Sequence, residues 1–334
     1  MNDHILFSLD DRYLELTIMP TEQCNFRCVY CYEDFTIGNM RNEVVDSINK
    51  FVDNTLPRLK RLSILWFGGE PLLALRQITK ISKHIKCGAK QNNIEYTSGM
   101  TTNGYYLTLE NLTTLVNLNI TNYQITLDGY AEDHDNLRKK SNGTGSFQTI
   151  WHNLIEARKS TLNFNMILRV HYSPDSIYQT IKLIEIINKE FSNDRRFTVL
   201  FHSIEKLGGD NDNNITIFND KKEKMAYLSE LLRLIQPELI AQSINSDHIC
   251  YAAKLNSFVI RPNGDILKCT VALNSDVNNI GHLNKDGFMT LDMDKIRVWS
   301  IPLFTGNKGD LECPSASAHR RWADKSIIPV TNII

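Results

Sequence analysis

Short runs of β-branched and aromatic residues alternate with stretches in which apolar side chains return every three or four positions, and the rhythm holds to about His202. Runs near Tyr13 to Ile18, Leu62 to Phe67, Ile94 to Thr101, Asn122 to Leu127, Phe164 to His171 and Arg196 to His202 read as strands. Helical periodicity falls between them at Glu43 to Leu56, Leu73 to Lys86, Leu109 to Leu118, Phe147 to Arg158 and Ile177 to Lys189. Such alternation is the mark of βα units around parallel strands. Six units are too few for a closed eight-stranded barrel, so the expected class is α/β, an open, partial (β/α)6 TIM-like barrel whose functional loops gather at the C-terminal ends of the strands.

From Leu207 the pattern breaks into a polar loop, GlyGlyAspAsnAspAsnAsn, followed by a helix near Lys222 to Ile235. SerPheValIleArgProAsnGlyAspIleLeuLysCys then reads as a hairpin turned by AsnGly. These shifts divide the chain into a barrel core over 1–206, a linker and helix over 207–240, and a small α+β unit over 241–334. No internal repeat or low-complexity tract interrupts it.

The 334 residues are 42% apolar, enough to bury a full core. Thirty-seven basic and 38 acidic residues leave a net charge of −1, so no global field recruits nucleic acid or an anionic membrane. Acids stand where a signal peptide carries basic residues, and no apolar run is long enough to span a bilayer; a cytoplasmic protein is expected. Seven cysteines, an odd number with clustered spacing, fit metal ligation in a reducing compartment. Cys87, alone on a predicted helix, reads as a free buried thiol.

Cys24, Cys28 and Cys31 stand in CysAsnPheArgCysValTyrCysTyr, directly after the first predicted strand. Three thiolates can hold three irons of a [4Fe–4S] cube and leave the fourth open, as a reaction centre requires. Zinc motifs instead pair two CxxC units or add two histidines; no second CxxC exists, and the nearest downstream histidine is His84. GlyGlyGluPro at Gly68 to Pro71 ends the second strand, ThrThrAsnGlyTyr at Thr101 to Tyr105 the third, and ThrLeuAspGlyTyr at Thr126 to Tyr130 the fourth. AlaGluAspHisAspAsnLeuArg, ending at Arg138, and GlyThrGlySerPhe follow.

With Tyr30 before the third cysteine, these motifs in this order resemble the radical S-adenosylmethionine (SAM) superfamily, in its peptide- and protein-modifying branch. The resemblance implies a SAM-binding [4Fe–4S] cluster, reductive cleavage of SAM and hydrogen abstraction from the substrate. It implies that Cys24, Cys28 and Cys31 ligate the cluster, that Gly68, Gly69, Glu70 and Pro71 bind the SAM amino group, and that Thr126 and Arg138 contact SAM, the arginine donating to the SAM carboxylate. Tyr30, Asn103 and Asp128 complete the candidate cofactor-binding set at the same rim. Arg169, on the fifth strand, points inward or outward by register, and inside it needs an anionic partner such as SAM or substrate. His134, His171 and His202 lie near strand ends as structural histidines, and no catalytic acid or base is assigned.

Cys250, thirteen residues, Gly264, four residues and Cys269, with Cys313 much later, resemble the opening of the SPASM and twitch extensions that hold auxiliary clusters, and AsnIleGlyHisLeu at Asn279 to Leu283 resembles their next strand. One cysteine in the tail is too few for two auxiliary clusters. One auxiliary [4Fe–4S] cluster on Cys250, Cys269 and Cys313, with His319, Asp324 or substrate as fourth ligand, stands beside no cluster or a zinc ion.

The combination points to a maturase of a ribosomally made peptide that installs a cross-link or epimerises a residue. It depends on a reductant such as flavodoxin or ferredoxin, with neither nucleic acid nor membrane as partner. Formylglycine formation, the anaerobic sulfatase-maturing activity, is the alternative; that group is expected to carry an aspartate base after the cysteine matching Cys269, where this chain has Thr270. A non-catalytic iron–sulfur scaffold is a third. With the first strand starting by Tyr13, leader recognition is expected from the barrel, the tail or another protein, and an edge strand or the acidic loop near Asp210 is the candidate surface.

Overall fold

The computed structural model describes residues 3–241 and 248–325. A short helix α1 (Asp3–Leu9) leads into strand β1 (Tyr13–Ile18), and a long loop follows that contains the short strand β2 (Phe26–Cys28). Then come α2 (Asn42–Thr55), β3 (Arg61–Trp66), α3 (Leu75–Gln91), β4 (Glu95–Thr102), α4 (Leu109–Asn117) and β5 (Ile120–Leu127). Next are α5 (Glu132–Leu137), β6 (Arg138–Lys140), α6 (Phe147–Lys159), β7 (Asn165–Tyr172), α7 (Ile177–Phe191) and β8 (Phe197–Ser203). Strands β1, β3, β4, β5, β7 and β8 lie side by side, every pair parallel, and form the expected open, partial barrel.

Each barrel strand sends one set of side chains under the helices and the other into the lumen. On β7, Met166, Leu168, Val170 and Tyr172 are buried while Ile167, Arg169 and His171 face the more open lumen side. The helices answer with matching stripes, as α3 does with Ile78, Ile81, Ile85 and Ala89. Cys87 stands two positions from both Ile85 and Ala89, on the opposite side of α3. It is therefore exposed rather than buried.

Beyond the barrel, α8 (Lys221–Leu234) precedes β9 (Ser257–Ile260), β10 (Asp265–Leu267), β11 (Asn279–Leu283) and β12 (Met289–Leu291), and α9 (Met293–Thr305), α10 (Lys308–Glu312) and α11 (Ser315–Ala323) follow. The hairpin turn sits where AsnGly placed it, with Gly264 at φ +91°. What periodicity did not foretell is its partner: β9 runs parallel to β1, Glu15 opposite Ser257, so one ten-stranded sheet continues from the barrel into the extension in the order β12-β11-β10-β9-β1-β3-β4-β5-β7-β8. The polar loop after β8 is also anchored: a Cβ on Gly209 would overlap the carbonyl oxygen of Cys31.

Candidate functional site

The loop leaving β1 is laid directly on the turn after β3. A Cβ on Gly68, whose φ is +117°, would overlap the Thr21 carbonyl oxygen, and one on Gly69 would stand 2.5 Å from that of Gln23. The Glu70 N–H donates to Gln23 O at 2.9 Å. Its fully buried carboxylate accepts from the Leu72 N–H (3.0 Å), Thr102 Oγ1 (2.7 Å) and the Asn103 N–H (2.7 Å). Glu70 thus caps the turn that begins with Pro71 and ties it to the end of β4, so the carboxylate singled out as a ligand contact holds protein donors. Asn103 continues the tie, its Nδ2 donating to Asn25 Oδ1 inside the cysteine loop at 2.8 Å.

A second anchor comes from the other side of the mouth. Strands β2 and β6 pair antiparallel with Cys28 opposite Arg138, a pairing not read from the sequence. Arg138 Nη1 donates to Tyr30 Oη at 2.5 Å, and the same hydroxyl donates to Asp128 Oδ2 at 2.5 Å. Burial disfavours the ionised Asp128, but its interaction with the neighbouring His171 ring and the charge of Arg138 outweigh it and hold this carboxyl below the usual range. The Asp128 N–H donates to Nδ1 of buried His134, whose Nε2 meets Ser146 Oγ at 3.2 Å. Burial lowers the pKa of His134 to about 4, leaving it a neutral structural ring.

The lumen face of β7 completes the site. Arg169 stands in register with Thr126 and points inward, and among the described residues it has no ion pair. Its Nε is buried without a partner, and burial lowers its pKa. His171, two positions on, lies with Nδ1 3.1 Å from Asp128 Oδ1 and its ring edge-on to Tyr30. His202, on β8, is 5.6 Å from His171 between ring centroids. The alternation of β7 was the signal that could have assigned His171 to the site with Arg169.

The three thiols of the loop rest protonated when no metal is bound, so binding iron must release their protons. Burial pushes all three up, Cys31 to about 12, while the Arg138 guanidinium pulls each back toward thiolate, the form that binds iron. Among the described residues no three His, Cys, Asp or Glu side chains are arranged to hold a single metal ion. Three cysteines on one loop are the donor set of a [4Fe–4S] cube with one open iron, and Cys24, Cys28 and Cys31 would hold it at the barrel mouth.

Cys250, Cys269 and Cys313 come within electrostatic reach of one another, and burial with its two neighbours raises Cys250 to about 11. The Cys250 N–H donates to Leu311 O, and Asn278 clamps the backbone of Cys269 from both sides. The proposed fourth ligands are less suitably placed. His319 has Nε2 on Ser275 Oγ and Nδ1 on Ser315 O, both at 2.7 Å, and Asp324 is exposed beyond α11. Thr270 is tied to the Tyr251 hydroxyl.

Residues 18–184 match the model of the radical SAM superfamily. Over 280 residues the chain is 25% identical to an uncharacterized protein of Methanocaldococcus jannaschii, covering 82% of this chain and 91% of that one. Its fold is similar to that of anSMEcpe solved with AdoMet and the Kp18Cys peptide, with a TM-score of 0.66, 18% identity, and 96% and 100% of the two chains covered. It is also similar to Streptococcus suis SuiB bound to the precursor peptide SuiA, with a TM-score of 0.55, 18% identity, and 91% and 68% covered.

Proposed function

The chain belongs to the radical SAM superfamily, and from that premise we propose that it acts on a ribosomally made peptide and installs a cross-link. The observation that carries this reading is the convergence at one mouth of three thiols, the Tyr30–Asp128–Arg138 network and an inward Arg169 with no ion pair among the described residues. A [4Fe–4S] cluster on Cys24, Cys28 and Cys31 with SAM, when bound, supplies a carbon radical that takes hydrogen from substrate. The residues of this chain do the rest. Gly68 and Gly69 let the cysteine loop lie flat on the barrel end, and Arg138, held by Tyr30, is the cation suited to the SAM carboxylate. The lumen face with Arg169, Thr126 and His202 receives the substrate and shields it from water.

The peptide substrate is supported by the two structural relatives, one solved with the Kp18Cys peptide and the other with the precursor peptide SuiA. Cys250, Cys269 and Cys313 are proposed as an auxiliary cluster site within the 241–334 unit, and a flavodoxin or ferredoxin as electron donor. Thr270 in place of an aspartate, with its hydroxyl engaged by Tyr251, speaks against formylglycine formation. The test is the intact mass of the peptide encoded beside the gene after anaerobic co-expression. Loss of two hydrogens, absent from a Cys24→Ala/Cys28→Ala/Cys31→Ala variant, is expected; an unchanged mass with no 5′-deoxyadenosine formed overturns the reading.

A further inference from the structure

His171 combines features that a structural histidine has no need of. Nδ1 stands 3.1 Å from Asp128 Oδ1 but outside hydrogen-bond geometry, and among the described residues neither buried ring nitrogen has a hydrogen-bond partner. Structural His134 makes the contrast, since both of its nitrogens are engaged. Interior polar atoms are normally paired, and an unpaired one asks for an explanation. His171 sits at the C-terminal end of β7, on the face that carries Arg169 into the lumen.

We propose that Asp128 and His171 form an acid–base pair in which His171 Nε2 takes a proton directly from the bound substrate. Asp128 orients the ring: its carboxylate, braced by Tyr30 and near Arg138 (4.0 Å), favours the tautomer with the proton on Nδ1 and leaves the Nε2 lone pair bare. The remaining surroundings keep the resting ring neutral. Burial disfavours the imidazolium, and the charges of Arg169 and Arg138 add to it, outweighing Asp128. Tyr30 packs on one side and His202, whose Nδ1 meets Ser203 O, on the other.

In the step, a substrate N–H, O–H, S–H or acidic α-C–H bond breaks heterolytically and an Nε2–H bond forms. The electron pair stays on the substrate and the imidazolium is held against the Asp128 carboxylate. No electron enters or leaves, so no oxidant is needed for this step. The inference rests on the peptide-modifying reading for its substrate, but the geometry of the pair can be tested without one.

Long-range 1H–15N NMR of histidine-labelled holoenzyme under anaerobic conditions, with His171 assigned by comparison with His171→Gln, reports the ring's protonation. The expected spectrum near neutral pH shows a proton on Nδ1 and a bare Nε2, with that preference lost in Asp128→Asn. A proton on Nε2, or an imidazolium, overturns the pair. During peptide turnover, His171→Gln is expected to lower modified peptide formed per 5′-deoxyadenosine by about 10² to 10⁴-fold, and imidazole to restore part of it in His171→Gly. Wild-type coupling in His171→Gln also overturns the pair. Absence of 5′-deoxyadenosine from the wild type counts against the peptide-modifying reading instead, and the NMR result still decides on the pair.

Discussion

Tyr30 spends one oxygen on two buried charges, donating to Asp128 and accepting from Arg138. Tyr30→Phe removes that oxygen without changing the ring, and it leaves both partners short of a bond in the interior. The expected cost is about 1–3 kcal/mol, measured by urea unfolding of the cluster-free protein. Glu33 makes a pH-dependent contribution. Burial first, then the charges of Glu22 and Asp34, raise its pKa from 4.5 to about 8. Between those values the unfolded chain has released a proton that the folded protein keeps, so stability falls as pH rises, by at most about 1.4 kcal/mol per pH unit from this group. In the cluster-free protein Tm should decline from acid toward pH 8, and Glu33→Gln should flatten the decline; equal slopes would count against it.

Among the elements, the turn after β3 holds the cysteine loop more closely than its short motif suggests. Gly69→Ala puts a methyl group against the backbone oxygens of Glu22 and Gln23, atoms that cannot move without the loop. Overpacking of this kind costs about 1–3 kcal/mol, and we expect iron bound after reconstitution to fall several-fold, checked by iron and sulfide analysis. The barrel strands were legible because strand and helix periods differ and each strand is buried on one face, so their observed bounds fall close to those read from the pattern. Cys87 was misplaced because composition, rather than its position around α3, guided the expectation. The pairing of β2 with β6 was not legible, since three-residue strands have too little pattern to declare themselves. Nor could a four-residue apolar run announce that β9 would choose the free edge of β1.

For the whole molecule, the extension and the barrel share a sheet and a buried ion pair. Arg261, beside the hairpin turn, donates through Nε (2.6 Å) and Nη2 (2.9 Å) to the two oxygens of Glu22, two residues before Cys24. Both are almost fully buried, at 8% and 1% side-chain exposure. Removing one partner strands the other: Arg261→Met should cost about 3–5 kcal/mol, and adding Glu22→Leu should recover much of it. Chemical denaturation of the two variants checks this, and additive losses would refute it. Nothing in the local sequence of either residue marks the pair, because its partners stand 239 residues apart and meet only in the folded chain. We propose that barrel and extension unfold together, as one transition seen alike by calorimetry and tryptophan fluorescence. The same sheet orders events in time. Strand β1 (Tyr13–Ile18) gains its second neighbour only when β9 (Ser257–Ile260), far down the chain, has emerged from the ribosome. Contacts so distant in sequence close slowly and leave strand edges open meanwhile, so the nascent chain carries an unpaired edge beside its cysteine loop through most of its synthesis, and soluble yield should rise when translation is slowed or chaperones are supplied.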